Sequence, residues 1–389
     1  MTHTKASIYL DSNASMPLRV CAKEAVLKAL NGVGNPSSQH HFGQKQQGVL
    51  EKARAQVAAL LHCEKGSVIF TSGGTESNAL ALCGVAPAMH TLLISQGEHD
   101  AVAHNASTAA GMLKTQTPVQ KLPLTPNGDL NMDALDDALK TIEAPFLLSV
   151  IAANHETGVI NDIPLIADKV HQKGGLLHTD AAQFVGKTSN DLSFLAKADL
   201  VSLSSHKVGG PQGIGALLVQ PHVPLQPLLK GGNQEKGLRS GTQAVALAAG
   251  FAAALEESLS CMALTHLACV STWRDQMEKA LLDVAPHMRI WGRHAQRLSQ
   301  TSSLSMPGVA RDTQLMHSDL QGFAVSAGSA CRSGLLDPSP VLLAMGASAK
   351  NAQESIRVSA GWHTQQNDIE DFTHHWVALY KQIQERTAA

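Results

Sequence analysis

Short apolar runs alternate with amphipathic stretches between residues 45 and 260 of the chain. The runs are almost continuously apolar, which is typical of parallel strands that are covered on both faces of a sheet. They span residues 67–70, 91–95, 146–151, 175–180, 200–204 and 215–219. Stretches with helical periodicity lie between them, at 49–61, 99–113 and 163–173. This strand–helix alternation predicts an α/β domain with a mainly parallel sheet.

The pattern changes after residue 258, where strands become sparser. We predict helices at 265–283, 313–321, 338–345 and 366–386, and strands at 301–305, 323–326 and 355–359. The N-terminal stretch SIYLD predicts one more strand for this region. The chain is therefore predicted to form a large domain (16–258) and a smaller α+β domain (1–15 and 259–389).

Composition and charge argue against several classes of protein. The 389 residues carry a formal net charge of -2, which gives no electrostatic footprint for nucleic acid or for an anionic membrane. The longest apolar run, at 245–255, is too short to span a bilayer, and the N-terminus lacks the pattern of a signal peptide. We therefore expect a cytoplasmic protein without a direct nucleic-acid or membrane partner.

The cysteines and histidines form no recognisable metal motif. No two of the six cysteines have CxxC spacing, and no HExxH occurs, so we expect no metal site in the protein itself. Cys331 differs from the other cysteines because it lies in SAGSACRSG (326–334), among small residues typical of an exposed, mobile loop. A cysteine in such a loop is a candidate for chemistry rather than for packing.

A glycine-rich stretch follows the first strand of the predicted sheet. In TSGGTESNALAL (71–82), Gly74 and Thr75 come at the start of a predicted helix. The free N–H groups of a helix N-terminus bind anions, so this stretch is a candidate phosphate site. A plain helix cap by Thr75 and Asn78 accounts for the same residues.

Two further strand ends carry ionisable side chains. Asp180 ends a strand, with Gln183 three residues later, and its carboxylate would either bind a protonated ring nitrogen or cap the following turn. Lys207 follows the strand at 200–204 and precedes a glycine-rich turn and another strand. Burying an ammonium is costly, whereas a lysine with a lowered pKa can form a Schiff base. The strand after the glycines argues against a dinucleotide-binding fingerprint, which requires a helix there.

Pyridoxal 5′-phosphate is the cofactor that these groups fit. It needs a lysine for its aldehyde, an acid for its ring nitrogen and a cradle for its phosphate. In open α/β sheets, ligands bind at the carboxyl ends of strands, which is where these side chains come. His99, after the strand at 91–95, would stack on the ring, although an ordinary helix N-terminus explains it as well.

An amino-acid substrate would also bring a carboxylate. Arg357 in SIRVSAG (355–361) is a candidate for a bidentate bond to it, and Asn154 and Asn35 could add hydrogen bonds. An arginine on a strand is otherwise usually solvent-facing or ion-paired. By itself, Arg357 therefore does not identify a substrate.

Together, these motifs resemble the class V aminotransferase-fold cysteine desulfurases, in the longer-loop group of the nitrogen-fixation and housekeeping iron–sulfur enzymes. The resemblance runs from IYLDSNAS to SIRVSAGWHT, which is nearly the whole chain. The matching stretches include GNPSS, FTSGGTES, EHDAV, NHETG, HTDAAQ, SSHKVGGPQGIGAL, GLRSGT and SAGSACRSG. The resemblance implies the pyridoxal phosphate fold type I, with a mainly parallel seven-stranded sheet in the large domain and a smaller α+β domain.

The resemblance also implies roles for individual residues. Lys207 would bind the cofactor covalently, Asp180 would pair with its ring nitrogen and Gln183 with its ring hydroxyl. His99 would stack on the ring and move protons. The other residues implied to bind the cofactor are Gly74, Thr75, Asn154, Ser204, Ser205 and His206. Thr242, in GLRSGT, would reach the phosphate in the neighbouring subunit, so the enzyme would be a homodimer with shared sites.

Cys331 stands at the position of the family's sulfur-carrying cysteine. The implied reaction removes sulfur from L-cysteine, gives L-alanine and leaves a persulfide on Cys331. The persulfide would pass to an acceptor such as an iron–sulfur scaffold, whose cluster Cys331 would then contact, or a sulfur carrier for tRNA or cofactors. The alternative is another class V enzyme, such as a selenocysteine lyase or a small-substrate transaminase. Asn13 and Met16 stand where relatives usually show Tyr or Asn and Thr, at the expected entrance to the site.

Overall fold

The computed structural model describes residues 7–115, 117–188, 192–328 and 337–388. Its strands are β1 (Ile8–Tyr9), β2 (Val68–Thr71), β3 (Thr91–Ser95), β4 (Gln120–Leu122), β5 (Phe146–Ser149), β6 (Leu176–Asp180), β7 (Leu200–Ser204), β8 (Gly215–Val219), β9 (Ile290–Trp291), β10 (Thr301–Ser305), β11 (Phe323–Ala324) and β12 (Ser355–Ser359). Its α-helices are α1 (Val20–Leu30), α2 (His41–Leu60), α3 (Gly74–Val85), α4 (Asp100–Ala110), α5 (Met132–Thr141), α6 (Ile163–Gln172), α7 (Val245–Ser258), α8 (Cys261–Val284), α9 (Arg311–Leu320), α10 (Pro340–Ala344), α11 (Ala349–Gln353) and α12 (Gln366–Ala388).

Seven of these strands form one sheet, in the order β2-β8-β7-β6-β5-β3-β4. The pairs that join β7, β6, β5, β3 and β4 are parallel, whereas β8 runs antiparallel to both of its neighbours. The predicted α/β fold with a mainly parallel seven-stranded sheet is confirmed. Strand β4 was not predicted, because its sequence QKL is polar and two of its three residues are exposed at the sheet edge.

Helices cover both faces of this sheet, so that neighbouring residues of one strand belong to different cores. Phe146 of β5 shares a buried cluster with Val57 of α2 and Phe251 of α7. Leu147, the next residue, belongs to the cluster that contains Leu80 of α3. Burial on both faces is why the strands read as continuous apolar runs.

Strands from both ends of the chain form a second, smaller core. Strands β9, β10 and β12 make an antiparallel sheet, and β1 pairs in parallel with β11. Leu10, Leu304, Phe372 and Trp376 share the buried cluster of this part. The N-terminal strand thus joins the C-terminal residues, as the sequence predicts. The exact domain boundaries stay a prediction.

Helix α7 contains the longest apolar run of the sequence, and much of that run is buried. Phe251 and Leu255 of this helix belong to the core of the large sheet. No single helix in the described ranges is long and apolar enough to cross a membrane. Helices α7 and α8 meet that requirement only as a pair, and the pair is bent by 62°.

His178 lies in the middle of the large sheet, on β6 between β5 and β7. Its ring is fully buried and links the two neighbouring strands: Nδ1 is 2.8 Å from Ser149 Oγ, and Nε2 is 2.9 Å from Ser202 Oγ. Burial lowers the pKa of His178 to about 4. The imidazole is therefore neutral at pH 7 in the folded protein.

We predict that acid destabilises the fold partly through His178. Its unfolded-state pKa is near 6.5, so below that pH the unfolded chain takes up a proton that the folded protein does not. The stability present above pH 6.5 is lost as the pH falls toward 4, and the loss between pH 7 and pH 5 is about 2 kcal/mol. His178→Gln should therefore reduce the pH dependence of the urea midpoint of unfolding.

His287→Gln, at an exposed position, is the matched control for this experiment and should leave the pH dependence unchanged. An equal slope in His178→Gln and in the wild type would contradict a buried, neutral imidazole.

Candidate active site

A cavity of about 520 Å³ lies at the carboxyl ends of β6 and β7. Most of the residues predicted from the strand ends meet there. The predicted residues that line it are Gly74, Thr75, His99, Asp180, Gln183, Ser204, His206, Lys207 and Arg357. Pockets of this size commonly hold small molecules and cofactors. The strand-end positions of the sequence therefore converge on one place in the fold.

Other predicted residues lie apart from this cavity in the described chain. Asn35 and Thr242 are exposed, Ser205 is fully buried, and none of the three is a lining residue. Cys331 lies outside the described residues. A single chain therefore brings only some of the predicted site residues together in this cavity.

Asn154 is buried and organises a loop instead of lining the cavity. Its Nδ2 donates to the backbone oxygen of Gly97 at 3.0 Å. Its Oδ1 accepts from the backbone N–H groups of Glu156 and Thr157, at 2.9 and 3.0 Å. Both ends of the amide are therefore committed to the backbone next to the site.

The N-terminus of α3 opens into the cavity. Its N-cap residue is Gly73, and no side chain of the described chain caps it, so N–H groups of the first turn remain available to an anion. A Cβ atom on Gly74 would lie 3.2 Å from Ser204 Cβ, so the close approach of these residues depends on the missing side chain. Neither Thr75 nor Asn78 provides the predicted cap, which favours the anion site.

Asp180 is held at the end of β6 by two hydrogen bonds. Its Oδ2 accepts from Asn78 Nδ2 at 2.8 Å, and its Oδ1 accepts from the backbone N–H of Ala182 at 3.0 Å. Asn78 Oδ1 is buried and has no hydrogen-bond partner within the described ranges. This wall of the cavity therefore presents acceptors, as a group with a protonated nitrogen requires.

Lys207 follows β7 after a single turn, and its amine reaches the N-terminal segment. Nζ donates to the backbone oxygens of Asn13 and Ala14, at 2.7 and 2.9 Å. Burial, followed by the charge of Lys207, lowers the pKa of the adjacent His206 to about 4. His206 Nδ1 lies 3.2 Å from Ser15 Oγ. Two carbonyl oxygens thus hold the Lys207 amine at the cavity wall, beside a neutral imidazole.

His99 is the N-cap residue of α4, which agrees with its interpretation from the sequence as part of an ordinary helix N-terminus. Its Nδ1 accepts from the backbone N–H of Ala101 at 3.0 Å, so the neutral ring carries its proton on Nε2. The ring is edge-on to His155, with 5.0 Å between the ring centroids. Burial, with a smaller effect of Lys207, lowers the pKa of His99. His99 therefore both caps a helix and presents a neutral ring to the cavity.

Arg357 lies on β12 and is both ion-paired and part of the cavity wall. Its side chain is 2% exposed. One Nη donates to the backbone oxygen of His155 at 2.9 Å, and the other pairs with Asp11 Oδ1 at 2.6 Å. Its Nε has no hydrogen-bond partner in the part of the chain that the structure describes. The guanidinium is thus pre-oriented, and its Nε–H is among the N–H groups that these two bonds leave for an anionic group.

Glu98 is a residue that the sequence analysis missed. It is buried, its Oε1 accepts from the backbone N–H of Ile151 at 2.6 Å, and its Oε2 has no partner in the described chain. Burial, followed by the charge of Asp180, raises the pKa of Glu98 well above its usual value. The carboxyl group therefore favours its protonated form more than an exposed glutamate does. The sequence did contain one indication of its role, because Glu98 directly precedes His99 in EHDAV.

Pyridoxal 5′-phosphate fits these residues. The amine of Lys207, the carboxylate of Asp180 and the uncapped N-terminus of α3 line one cavity, and the buried Oδ1 of Asn78 lacks a partner in the described chain. These are the groups that the aldehyde, the ring nitrogen and the phosphate of this cofactor require.

Comparison with known proteins identifies the family. The class V aminotransferase family matches residues 8–372. The cysteine desulfurase of Sinorhizobium fredii is 36% identical over 384 residues, which is 97% of this chain and 97% of that protein. A Pseudomonas putida protein named cysteine desulfurase IscS is 37% identical over 380 residues, covering 94% of this chain and 91% of its own length.

Solved structures show the same relationship. The NifS-like protein from Rickettsia africae superposes with a TM-score of 0.86 at 28% identity, over 96% of this chain and 99% of that one. The resemblance found in the sequence motifs is therefore confirmed, and so is the cofactor that it implies. The chain belongs to the class V aminotransferase family, among its pyridoxal phosphate-dependent cysteine desulfurases.

Proposed function

We propose that this chain removes sulfur from L-cysteine with Lys207 and Cys331 as its two reacting side chains. The supporting observation is the single cavity that joins Lys207, Asp180 and the N-terminus of α3. Pyridoxal 5′-phosphate bound there withdraws electrons from the carbon atom that carries the substrate's amino group. The remaining tasks of binding, orientation and proton transfer fall to the side chains of the protein.

Lys207 transfers the proton. Its Nζ rests on the carbonyl oxygens of Asn13 and Ala14, and as a neutral amine it takes the proton from the α-carbon of the substrate. His99 stays neutral at pH 7 because of its lowered pKa, with its proton on Nε2. Asp180 keeps the ring nitrogen of the cofactor protonated.

Cys331 accepts the sulfur. Its thiolate attacks the sulfur atom of the substrate, and the C–S bond breaks. The electron pair of that bond stays with carbon, which takes up a proton and leaves as L-alanine. Cys331 is left as a persulfide. Because the thiolate is the nucleophile, the rate of this step depends on the deprotonated fraction of Cys331.

Arg357 binds the substrate carboxylate with the part of its guanidinium that Asp11 and His155 leave open. Asn154 supports this side of the site indirectly, because its amide holds the loop backbone beside it. Asn35 is exposed in its own chain, so its contribution depends on what covers that surface.

The active enzyme is a homodimer with shared sites. Thr242 is exposed and lies outside the cavity of its own chain, which suits a residue that serves the phosphate in the neighbouring chain. Helix α1 exposes the apolar side chains of Val20, Leu27 and Leu30, which a second copy would cover. The acceptor of the persulfide is an iron–sulfur scaffold or a sulfur carrier, and the cytoplasmic location stays a prediction.

The first prediction from this function concerns the two reacting side chains. Purified protein given L-cysteine and a thiol reductant should produce alanine and sulfide in equal amounts. Lys207→Ala should lose at least about a hundredfold in rate, together with the visible absorption of the lysine-bound cofactor. Cys331→Ala should keep that absorption but form no persulfide, whereas Cys269→Ala, at an exposed position on α8, should behave as the wild type. Normal sulfide release by Cys331→Ala would exclude the persulfide step.

The second prediction concerns the orientation of Arg357. Asp11→Asn removes the charge that holds its Nη at 2.6 Å. We expect a rise of about tenfold in KM for cysteine and a smaller change in kcat, because a charge-assisted hydrogen bond is lost. Asp312→Asn, which weakens the pair between the exposed Asp312 carboxylate and the buried Arg311, is the control. A change in kcat alone would contradict this role.

The third prediction tests the shared site. Lys207→Ala and Thr242→Ala chains should each bind the cofactor poorly as homodimers. A mixed dimer contains one site with an intact Lys207 from one chain and an intact Thr242 from the other. Co-expression should therefore restore tight cofactor binding at half of the sites of the mixed dimer. If no tight site returns, Thr242 serves its own chain or neither.

A further inference from the structure

Lys187 is a fully buried lysine that the proposed reaction does not use. Its side chain is 0% exposed, and within the described ranges no carboxylate lies within 4.0 Å of its Nζ. Burial, followed by the charges of Lys207 and Arg357, lowers the pKa of its amine well below the usual value. A methionine would fill similar space without the cost of burying an amine. Packing alone therefore does not account for a lysine at this position.

The amine of Lys187 orients the amide of Gln183, four residues earlier. Nζ donates a hydrogen bond to Gln183 Oε1. The backbone oxygen of Asn13 can only accept, so Gln183 Nε2 must be the atom that donates to it, at 2.8 Å. Gln183 lines the cavity, and the second N–H of its Nε2 is left for a ligand.

The same amine contacts the residue that holds Lys207. The backbone oxygen of Asn13 accepts from both Gln183 Nε2 and Lys207 Nζ, the latter at 2.7 Å. Lys187 Nζ lies 3.4 Å from Asn13 Oδ1, and Asn13 Nδ2 donates to Thr301 Oγ1 at 2.9 Å. Among the described residues, Lys187 and Thr301 are thus the two side chains that fix the Asn13 side chain, and Lys187 is connected to both Gln183 and Lys207.

We propose that Lys187 is a positioning residue, which aims an N–H of Gln183 into the cavity and fixes the Asn13 carbonyl on which Lys207 rests. The proposal rests on the proposed function of this cavity as the cofactor site. Loss of the amine should weaken and alter cofactor binding, because Gln183 and Lys207 lose their fixed positions. It should not destabilise the cofactor-free fold, because the removal of a buried amine offsets the loss of the hydrogen bond to Gln183 Oε1.

Lys187→Met tests this proposal, since it removes the nitrogen and keeps most of the length of the side chain. Three quantities are measured: the dissociation constant of pyridoxal 5′-phosphate, the visible absorption maximum of the bound cofactor and the Tm of the cofactor-free protein. We expect about tenfold weaker binding, a displaced absorption maximum and an unchanged or higher Tm.

Two further variants serve as comparisons. Lys187→Gln retains an N–H donor on a shorter side chain and should lie between Lys187→Met and the wild type. Lys197→Met removes a half-exposed lysine that pairs with Asp168, and it should match the wild type in cofactor binding and absorption.

Two results would overturn the positioning role. One is a lower Tm of the cofactor-free Lys187→Met protein with an unchanged absorption maximum, which would assign Lys187 to packing. The other is cofactor binding and absorption equal to those of the wild type. Failure of the wild-type protein itself to bind pyridoxal 5′-phosphate would instead overturn the proposed function, and this proposal with it.

Discussion

The hydrogen bonds that converge on Asn13 couple the seven-stranded sheet to the sheet of β9, β10 and β12 at the reacting amine. The Asn13 backbone N–H donates to Ser359 Oγ at 3.0 Å and its Nδ2 donates to Thr301 Oγ1 at 2.9 Å, so β12 and β10 hold the residue from one side. Its backbone oxygen accepts from Gln183 and Lys207, which follow strands of the seven-stranded sheet. A shift of one sheet against the other would therefore move the acceptor on which Lys207 rests.

Burial favours the neutral form of several ionisable groups around this point. It lowers the pKa of His99, His206 and Lys187, and it raises the pKa of Glu98. In each case the largest cause is the removal of water, because a charged form is poorly solvated in the interior. The neutral form of an imidazole or an amine carries a lone pair that can accept a proton, as general-base chemistry in a closed cavity needs.

The site residues that the sequence identified are those whose position next to a predicted strand already indicates their role. Lys207 and Asp180 come directly after buried apolar runs, and polar side chains at such positions meet at one edge of a parallel sheet. The same reasoning gave Asn78 a local role as a helix cap, whereas its amide bonds to Asp180, 102 residues away in sequence. The residues next to Lys187 in the sequence do not indicate a special role, since a lysine after a glycine is typical of a surface turn. The fold nevertheless buries Lys187 completely.

The sequence by itself determined the alternation of strands and helices, the return of the N-terminal strand to the C-terminal part and the family of the protein, because periodicity and motif order are properties of neighbouring residues. Only the tertiary structure decided which side chains share the cavity, which way the amide of Gln183 faces and which groups are neutral. Those properties depend on distances and burial among residues far apart in the chain, such as Asn13 and Lys207, which are 194 positions apart and 2.7 Å from each other.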